Sequence, residues 1–307
     1  MTRPLVHIGL HRTGSTWFQK VVLDGQDGRP VNATQDRAES TARIVLPREL
    51  DYDHEATRAW ILECLDRSAE QGHAPVISNE RFSGNPAAGW HDAERTATRL
   101  ARLLPDARIL LVVREQKTLL ASMWLQQIRI GGICGIEDFL RPASRGDHRL
   151  PVPDMRFLEF DRYVSLLDDL FGADSVQVMP FEKMKANPEE HLRRLEMFSG
   201  IPFPPPRDNH PVYAAPPFLE AAVLRRMNLL TARSSLHRAP PFPSLEPLGR
   251  RIASVISRMA TTSGENRRRA RTHDAIDRML SDIDIESSNR RLGERIGIDL
   301  DEIGWRT

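Results

Sequence analysis

Apolar residues in this chain fall into short unbroken runs separated by longer stretches in which they recur every three or four positions. The run PLVHIGL (4–10) ends in glycine, and STWFQKVVLD (15–24) then carries its apolar residues at helical spacing, so the chain opens as strand, loop and helix. Positions 54–71 predict a helix with an apolar stripe at Trp60, Ile61, Cys64 and Leu65, and APVISNE (74–80) reads as a buried strand. The alternation repeats. Positions 92–104 predict a helix, ARILLVV (107–113) is the β-branched run of a central parallel strand, and 116–129 resume a helix. Further on, 155–170 predict a helix, SVQVMPF (175–181) a strand, and 188–198 a helix opened by proline in its first turn.

Strands that alternate with helices imply βαβ units, hence an α/β fold: a P-loop-type parallel β-sheet flanked by helices. After Gly200 the pattern changes. IPFPPPRDNHPVYAAPP (201–217) holds seven prolines, too many for a regular helix or a central strand, and is expected to wrap over the surface. The remainder reads as a helical C-terminal extension interrupted by PFPSLEPL (241–248) and TTSGENRRRARTH (261–273). Residues 1–205 are therefore expected to form the core. Residues 206–307 are expected to be a Pro-rich segment and helical region packed on the same domain. No internal repeat is present.

Composition narrows the function. Of 307 residues 40% are hydrophobic and 28% charged, and 43 Lys and Arg offset 42 Asp and Glu, so no global field exists to attract nucleic acid; any anion site must be local. Cys64 and Cys134 stand 70 positions apart without a C-x-x-C, which writes neither a zinc knuckle nor a redox pair and suggests two reduced core thiols. No stretch has the make-up of a signal peptide or a transmembrane segment, so the cytoplasm is the expected location, with peripheral membrane contact left open.

The first chemistry lies in GLHRTGSTW (9–17). Gly9, Gly14 and Thr16 fall on the Walker pattern G-x-x-x-x-G-K-[ST], but Ser15 stands where the lysine belongs. Two glycines let backbone N–H groups converge on an anion, and the following helix adds its positive end. A nucleoside triphosphate site also needs that lysine and a metal-binding Asp from a second strand, yet ARILLVV ends in Arg114. A tight turn without a ligand remains the alternative. The second candidate is Glu80 in VISNERFSG (76–84), directly after a buried strand at the same sheet edge, where a carboxylate can take a proton from a hydroxyl. It can equally cap the following turn or pair with Arg81. His73 and His91 are the other local bases, and neither ends a strand. The third candidate is VVREQKTLLASMW (112–124), which puts Arg114 at a strand's carboxyl end and Ser122 eight residues later, a natural phosphate clamp.

Together these stretches resemble the PAPS-dependent sulfotransferases, in their bacterial, carbohydrate-sulfotransferase-like branch. HRTGSTW is similar to the family's 5′-phosphosulfate loop, with Arg12 in place of its lysine. Arg114 and Ser122 match its 3′-phosphate motif, and VISNERFSG resembles the Ser-x-Glu segment that carries the proposed general base. VMPFEKMKANPEEHLRRLEMFSGIP (178–202) and SSNRRLGERIGIDLDEIGW (287–305) resemble its closing strand and helix and the C-terminal tail of bacterial members.

The resemblance implies PAPS (3′-phosphoadenosine 5′-phosphosulfate) as co-substrate, PAP as product, and no metal. Arg12, Thr13, Gly14, Ser15, Thr16 and Trp17 would hold the phosphosulfate, with Trp17 either against the adenine or in the core. Arg114 and Ser122 would bind the 3′-phosphate, and Glu80 and Arg12 would be catalytic. The implied partner is a small-molecule or saccharide acceptor, with no nucleic acid. The RRRAR run (267–271) is either a solvated face or an anion-attracting one. A nucleotide kinase or NTPase with a degenerate loop and a non-catalytic PAP-binding protein are the competing readings.

Overall fold

A computed structural model of the chain describes residues 3–140, 154–205, 216–231 and 262–307, with isolated helical positions between 247 and 255. Five parallel strands, β1 (Leu5–Gly9), β2 (Val31–Asn32), β3 (Pro75–Ser78), β4 (Arg108–Val113) and β5 (Val176–Pro180), form one sheet in the order β2-β3-β1-β4-β5. β1 pairs Leu5 with Val76 and His7 with Ser78 on one side, and Leu5 with Arg108 and His7 with Leu110 on the other. β4 pairs Ile109 with Val176 and Val113 with Pro180. Every residue of β1 and all of β4 except Arg108 are buried, as a sheet covered on both faces requires. Because β3 and β4 flank β1, connections leave it in both directions, and its carboxyl end is the switch point where open α/β sheets bind ligands.

The helices, in chain order, are α1 (Ser15–Trp17), α2 (Arg37–Ser40), α3 (His54–Glu70), α4 (Ala93–Leu103), α5 (Gln116–Arg129), α6 (Ile136–Leu140), α7 (Phe160–Phe171), α8 (Phe181–Ala186), α9 (Pro188–Ser199), α10 (Phe218–Thr231), α11 (Thr262–Leu280) and α12 (Ile285–Ile296). Local chemistry sets their ends. Asp53 caps α3 by accepting the Ala56 N–H at 2.9 Å. Asn187 caps α9 ahead of Pro188, and Gly200 stops it in the left-handed conformation (φ 69°).

The chain divides into two compact units: Met1–Glu115, Pro153–Val212 and Ile283–Thr307 with the sheet, and Gln116–Val152 with Tyr213–Asp282. The sheet unit has a core that includes Leu5, Phe18, Val76, Leu110, Met179 and Leu192. Within the second unit Asn228 on α10 is buried and donates to the carbonyls of Ile128 at 2.8 Å and Gly132 at 2.9 Å. The Glu265 carboxylate accepts the Phe218 and Leu219 N–H groups, satisfying the start of α10.

Several expectations are corrected. Positions 261–273 are not an irregular interruption: they belong largely to α11, whose buried Thr272, Ala275, Ile276, Met279 and Leu280 make a stripe at helical spacing. That stripe sits in the C-terminal half, so the arginine-rich first half rides on it with Arg267, Arg268, Arg269 and Arg271 exposed. The Pro-rich segment does not begin on the surface, since Ile201 and Phe203 are buried in the core of the sheet unit; positions 206–215 and nearly all of 241–248 lie outside the described residues. The helix after the first loop leaves α geometry at Phe18 and runs as a π-wound turn to Val22. The helix expected at 155 starts as a 3₁₀ turn, Met155–Leu158, before α7. Cys64 is buried, but Cys134 is only half-buried; both are free thiols.

Candidate active site

The loop after β1 is built by three residues at positive φ and one shared carbonyl. Gly9 adopts φ +108°, Arg12 φ +64° and Gly14 φ +86°. At Gly9 a side chain is excluded twice over, because a Cβ there would lie 2.9 Å from Ser83 Oγ and 3.1 Å from the Glu80 carbonyl oxygen. The Leu10 N–H donates to the Val112 carbonyl at 2.8 Å and ties the loop's root to β4. The Leu10 carbonyl in turn accepts the hydroxyls of Thr13 (2.6 Å) and Ser15 (3.0 Å), folding the loop back on itself. Gly14, the N-cap of α1, offers no side chain to the first N–H groups of the helical segment, which therefore keep their donors for an anion. Thr16 is half-buried, and Trp17 is half-buried and packs against the core of the sheet unit.

Arg12 carries a non-glycine residue through left-handed backbone, and Arg114 braces it. The Arg114 guanidinium donates to the Arg12 carbonyl at 3.0 Å and lies over the Phe181 ring, 4.9 Å from its centre. Burial pushes the Arg114 guanidinium below its ordinary value, with Glu182 opposing and Arg12 adding to the shift. Glu182 is fixed in turn by the Trp305 indole N–H at 3.0 Å. Ser122 belongs to the second unit, where it is buried on α5.

Glu80 starts the 3₁₀ turn Glu80–Ser83, two residues beyond β3. The Asn79 N–H donates to the His7 carbonyl at 3.1 Å, which extends the β1–β3 ladder to the residue before Glu80. Its partner is not Arg81, which bonds Asp92 at 2.9 Å, but Arg37, whose Nη1 reaches Glu80 Oε1 at 2.7 Å. Gln19 Nε2 donates to Glu80 Oε2 at 3.0 Å. Burial alone would raise the Glu80 carboxyl. Arg37, its own backbone N–H, Gln19 and His11 together outweigh that and hold it below the usual carboxylate range, so it is ionised at neutral pH.

Two histidines, His11 and His7, act on the Glu80 corner, and a third, His191, acts on His7. His11, in the loop, is half-buried and its Nε2 lies 3.2 Å from the Gly84 carbonyl; desolvation lowers its value despite the nearby Glu80 carboxylate. His7 in β1 lies with Nδ1 2.7 Å from Ser78 Oγ and is pushed by burial to about 4. His191 on α9 is pushed to about 4 by burial and by His7, and neither ring nitrogen has a hydrogen-bond partner among the described residues.

Arg12–Trp17, Glu80 and Arg114 thus share the sheet unit, at the carboxyl ends of β1, β3 and β4. Gln19, Arg37 and His11 were missed by the sequence reading. Gln19 falls in an apolar stretch that reads only as helix, and Arg37 lies in a segment of short turns with no periodicity. His11 sits inside the loop motif, and a pattern keyed to glycine and hydroxyl spacing passes over it.

No protein-family model matches the chain, and no curated protein matches it. Among solved structures, the sulfotransferase domain from the Synechococcus PCC 7002 olefin synthase is 16% identical over 82% of this chain and 96% of its own, with a TM-score of 0.41. The crystal structure of a sulfotransferase from Alicyclobacillus acidocaldarius is 16% identical over 78% of this chain and 98% of its own, with a TM-score of 0.51. The chain has the α/β fold of that bacterial sulfotransferase.

Proposed function

We propose that this chain is a PAPS-dependent sulfotransferase that moves a sulfuryl group to a hydroxyl, or an amine, of a carbohydrate, glycolipid or glycosylated small molecule. One juxtaposition carries the reading: the backbone of an ionised carboxylate, Glu80, packs on Gly9, the residue that opens an anion-type loop at the sheet's switch point.

The residues present suit a phosphosulfate. Gly14 leaves helix N–H donors unclaimed by a cap, and Arg12 brings a cation to the loop without a Walker lysine. When bound, PAPS supplies an activated sulfuryl group whose bond to the 5′-phosphate oxygen breaks as the acceptor oxygen attacks. The loop from Arg12 to Thr16 then stabilises charge growing on the departing phosphate. Glu80 accepts the acceptor's proton at a carboxylate oxygen. Arg114 and Ser122 select the nucleotide by its 3′-phosphate, a role that rests on the sequence resemblance. The carbohydrate preference likewise rests on the Glu-type base.

Calorimetric titration with PAP, adenosine 5′-phosphosulfate and ATP–Mg²⁺ tests the reading. Preferential, metal-independent binding of PAP is the expected result. Binding of ATP–Mg²⁺ alone would overturn it in favour of a damaged NTPase loop.

A further inference from the structure

We infer that Gln19 and Arg37 are positioning residues that clamp the Glu80 carboxylate from both oxygens and orient it for proton transfer. The inference takes its functional meaning from the sulfuryl-transfer reading and its contacts from geometry. Arg37 Nη1 holds Oε1 at 2.7 Å and Gln19 Nε2 holds Oε2 at 3.0 Å. The two carboxylate oxygens have four lone-pair sites between them, so with Arg37, Gln19 and the Glu80 backbone N–H in place one position stays open to an acceptor hydroxyl.

Both donors are themselves anchored to the end of β3. The Gln19 amide nitrogen also reaches Ser78 Oγ at 3.1 Å, and that oxygen lies 2.7 Å from His7 Nδ1. Ser78 Oγ accepts from Gln19 and shares one hydrogen bond with His7 Nδ1, whose direction the imidazole tautomer sets. The two N–H groups of Gln19 are thereby directed at Ser78 and Glu80, a task that an acceptor-only side chain of the same shape fails. Asn32 locks the Ser78 backbone from both sides, accepting its N–H at 2.9 Å and donating to its carbonyl at 3.1 Å. On the other flank the Asn79 amide, buried, donates to the Arg37 carbonyl at 3.1 Å and to Ser40 Oγ at 2.8 Å, fastening α2 beside the Glu80 turn.

A glutamate at the head of a short turn would otherwise sample several rotamers; two donors from opposite elements hold one. The charged and titratable groups facing it are Arg37 from α2, His11 from the loop, His7 from β1 and, on its own turn, Arg81, which is engaged by Asp92.

The test is a carboxyl titration by NMR of protein labelled with ¹³C at glutamate Cδ, with the Glu80 signal identified by its loss in Glu80→Gln. Arg37→Gln should raise the Glu80 midpoint by about one pH unit, Gln19→Met should raise it less, and Arg37→Lys should restore most of the wild-type value. Arg81→Gln should leave the midpoint where it is. An unmoved midpoint in both Arg37→Gln and Gln19→Met, with near-ultraviolet circular dichroism intact, overturns the clamp. Should Arg37→Gln fail to fold, Gln19→Glu carries the test, because a second carboxylate facing Glu80 must raise the midpoint further than Gln19→Met does. PAP calorimetry on the same samples separates the two ideas. Shifted midpoints with no PAP binding to wild type keep the clamp and remove the donor site, and PAP binding with unmoved midpoints does the reverse.

Discussion

The buried histidines behind the site make the fold acid-labile in a calculable way. Burial holds His191 at about 4 against an ordinary value of 6.5, so between those limits the unfolded chain binds a proton that the folded chain refuses. Stability is therefore full above 6.5 and declines as the pH falls towards 4, with the loss reaching about 3 kcal/mol per imidazole when the window is fully crossed. His7 behaves alike, being held at about 4. From about pH 7.5 to about pH 5.5 each imidazole should cost about 1 kcal/mol. The carboxyls of Asp24, Glu80 and Asp92 are all held below their usual values, so they stay ionised in this interval and do not mask the effect. His191→Leu isolates one contribution, because the native ring nitrogens lack hydrogen-bond partners and their removal strands no group among the described residues. Urea unfolding at the two pH values should show the variant losing about 1 kcal/mol less than wild type. Equal losses in the two proteins would refute the reasoning, since His191 would then titrate alike in the folded and unfolded states.

Three further outcomes follow from the site. Glu80→Gln should lower turnover by about 10²- to 10⁴-fold while calorimetry shows PAP affinity nearly intact; unchanged turnover would remove Glu80 from the chemistry. Arg114→Ala should weaken PAP binding by about 1.5–3 kcal/mol, through the lost charge and through release of the Arg12 carbonyl that it braces, and equal binding would place the 3′-phosphate elsewhere. Gly9→Ala should destabilise the fold by about 1–3 kcal/mol in thermal or urea unfolding, because a Cβ at φ +108° would press on the Glu80 turn; an undiminished stability would mean that the turn yields without cost.

How much of this was visible beforehand depends on the range of the interactions. β4 was legible as ARILLVV because a strand buried on both faces must be apolar throughout, and α9 because Asn187, Pro188 and Gly200 mark its ends by local chemistry. β2 was not, since two residues at a sheet edge leave no periodicity, and its pairing of Val31 with Pro75 spans 44 positions. The helix α11 was misread because its charged first half outweighed a stripe confined to the second. Glu80 was found by its place after a strand. Its partner was not, because Arg37 lies 43 residues earlier in a stretch whose only local signal is a short capped turn.

By itself, then, the sequence determined the alternation of strands and helices, the glycines of the first loop, and which strands lead into Glu80 and Arg114, all matters of near-neighbour sterics and burial periodicity. The tertiary structure decided the strand order that puts β1 between β3 and β4, and with it the contact of Gly9 with the Glu80 turn. It also decided that Arg37 and Gln19, rather than Arg81, hold the carboxylate, and that His7 and His191 titrate far below their ordinary range. The physical reason is common to these: ion pairs and desolvation depend on distances in space, which spacing along the chain does not encode until the sheet has been assembled.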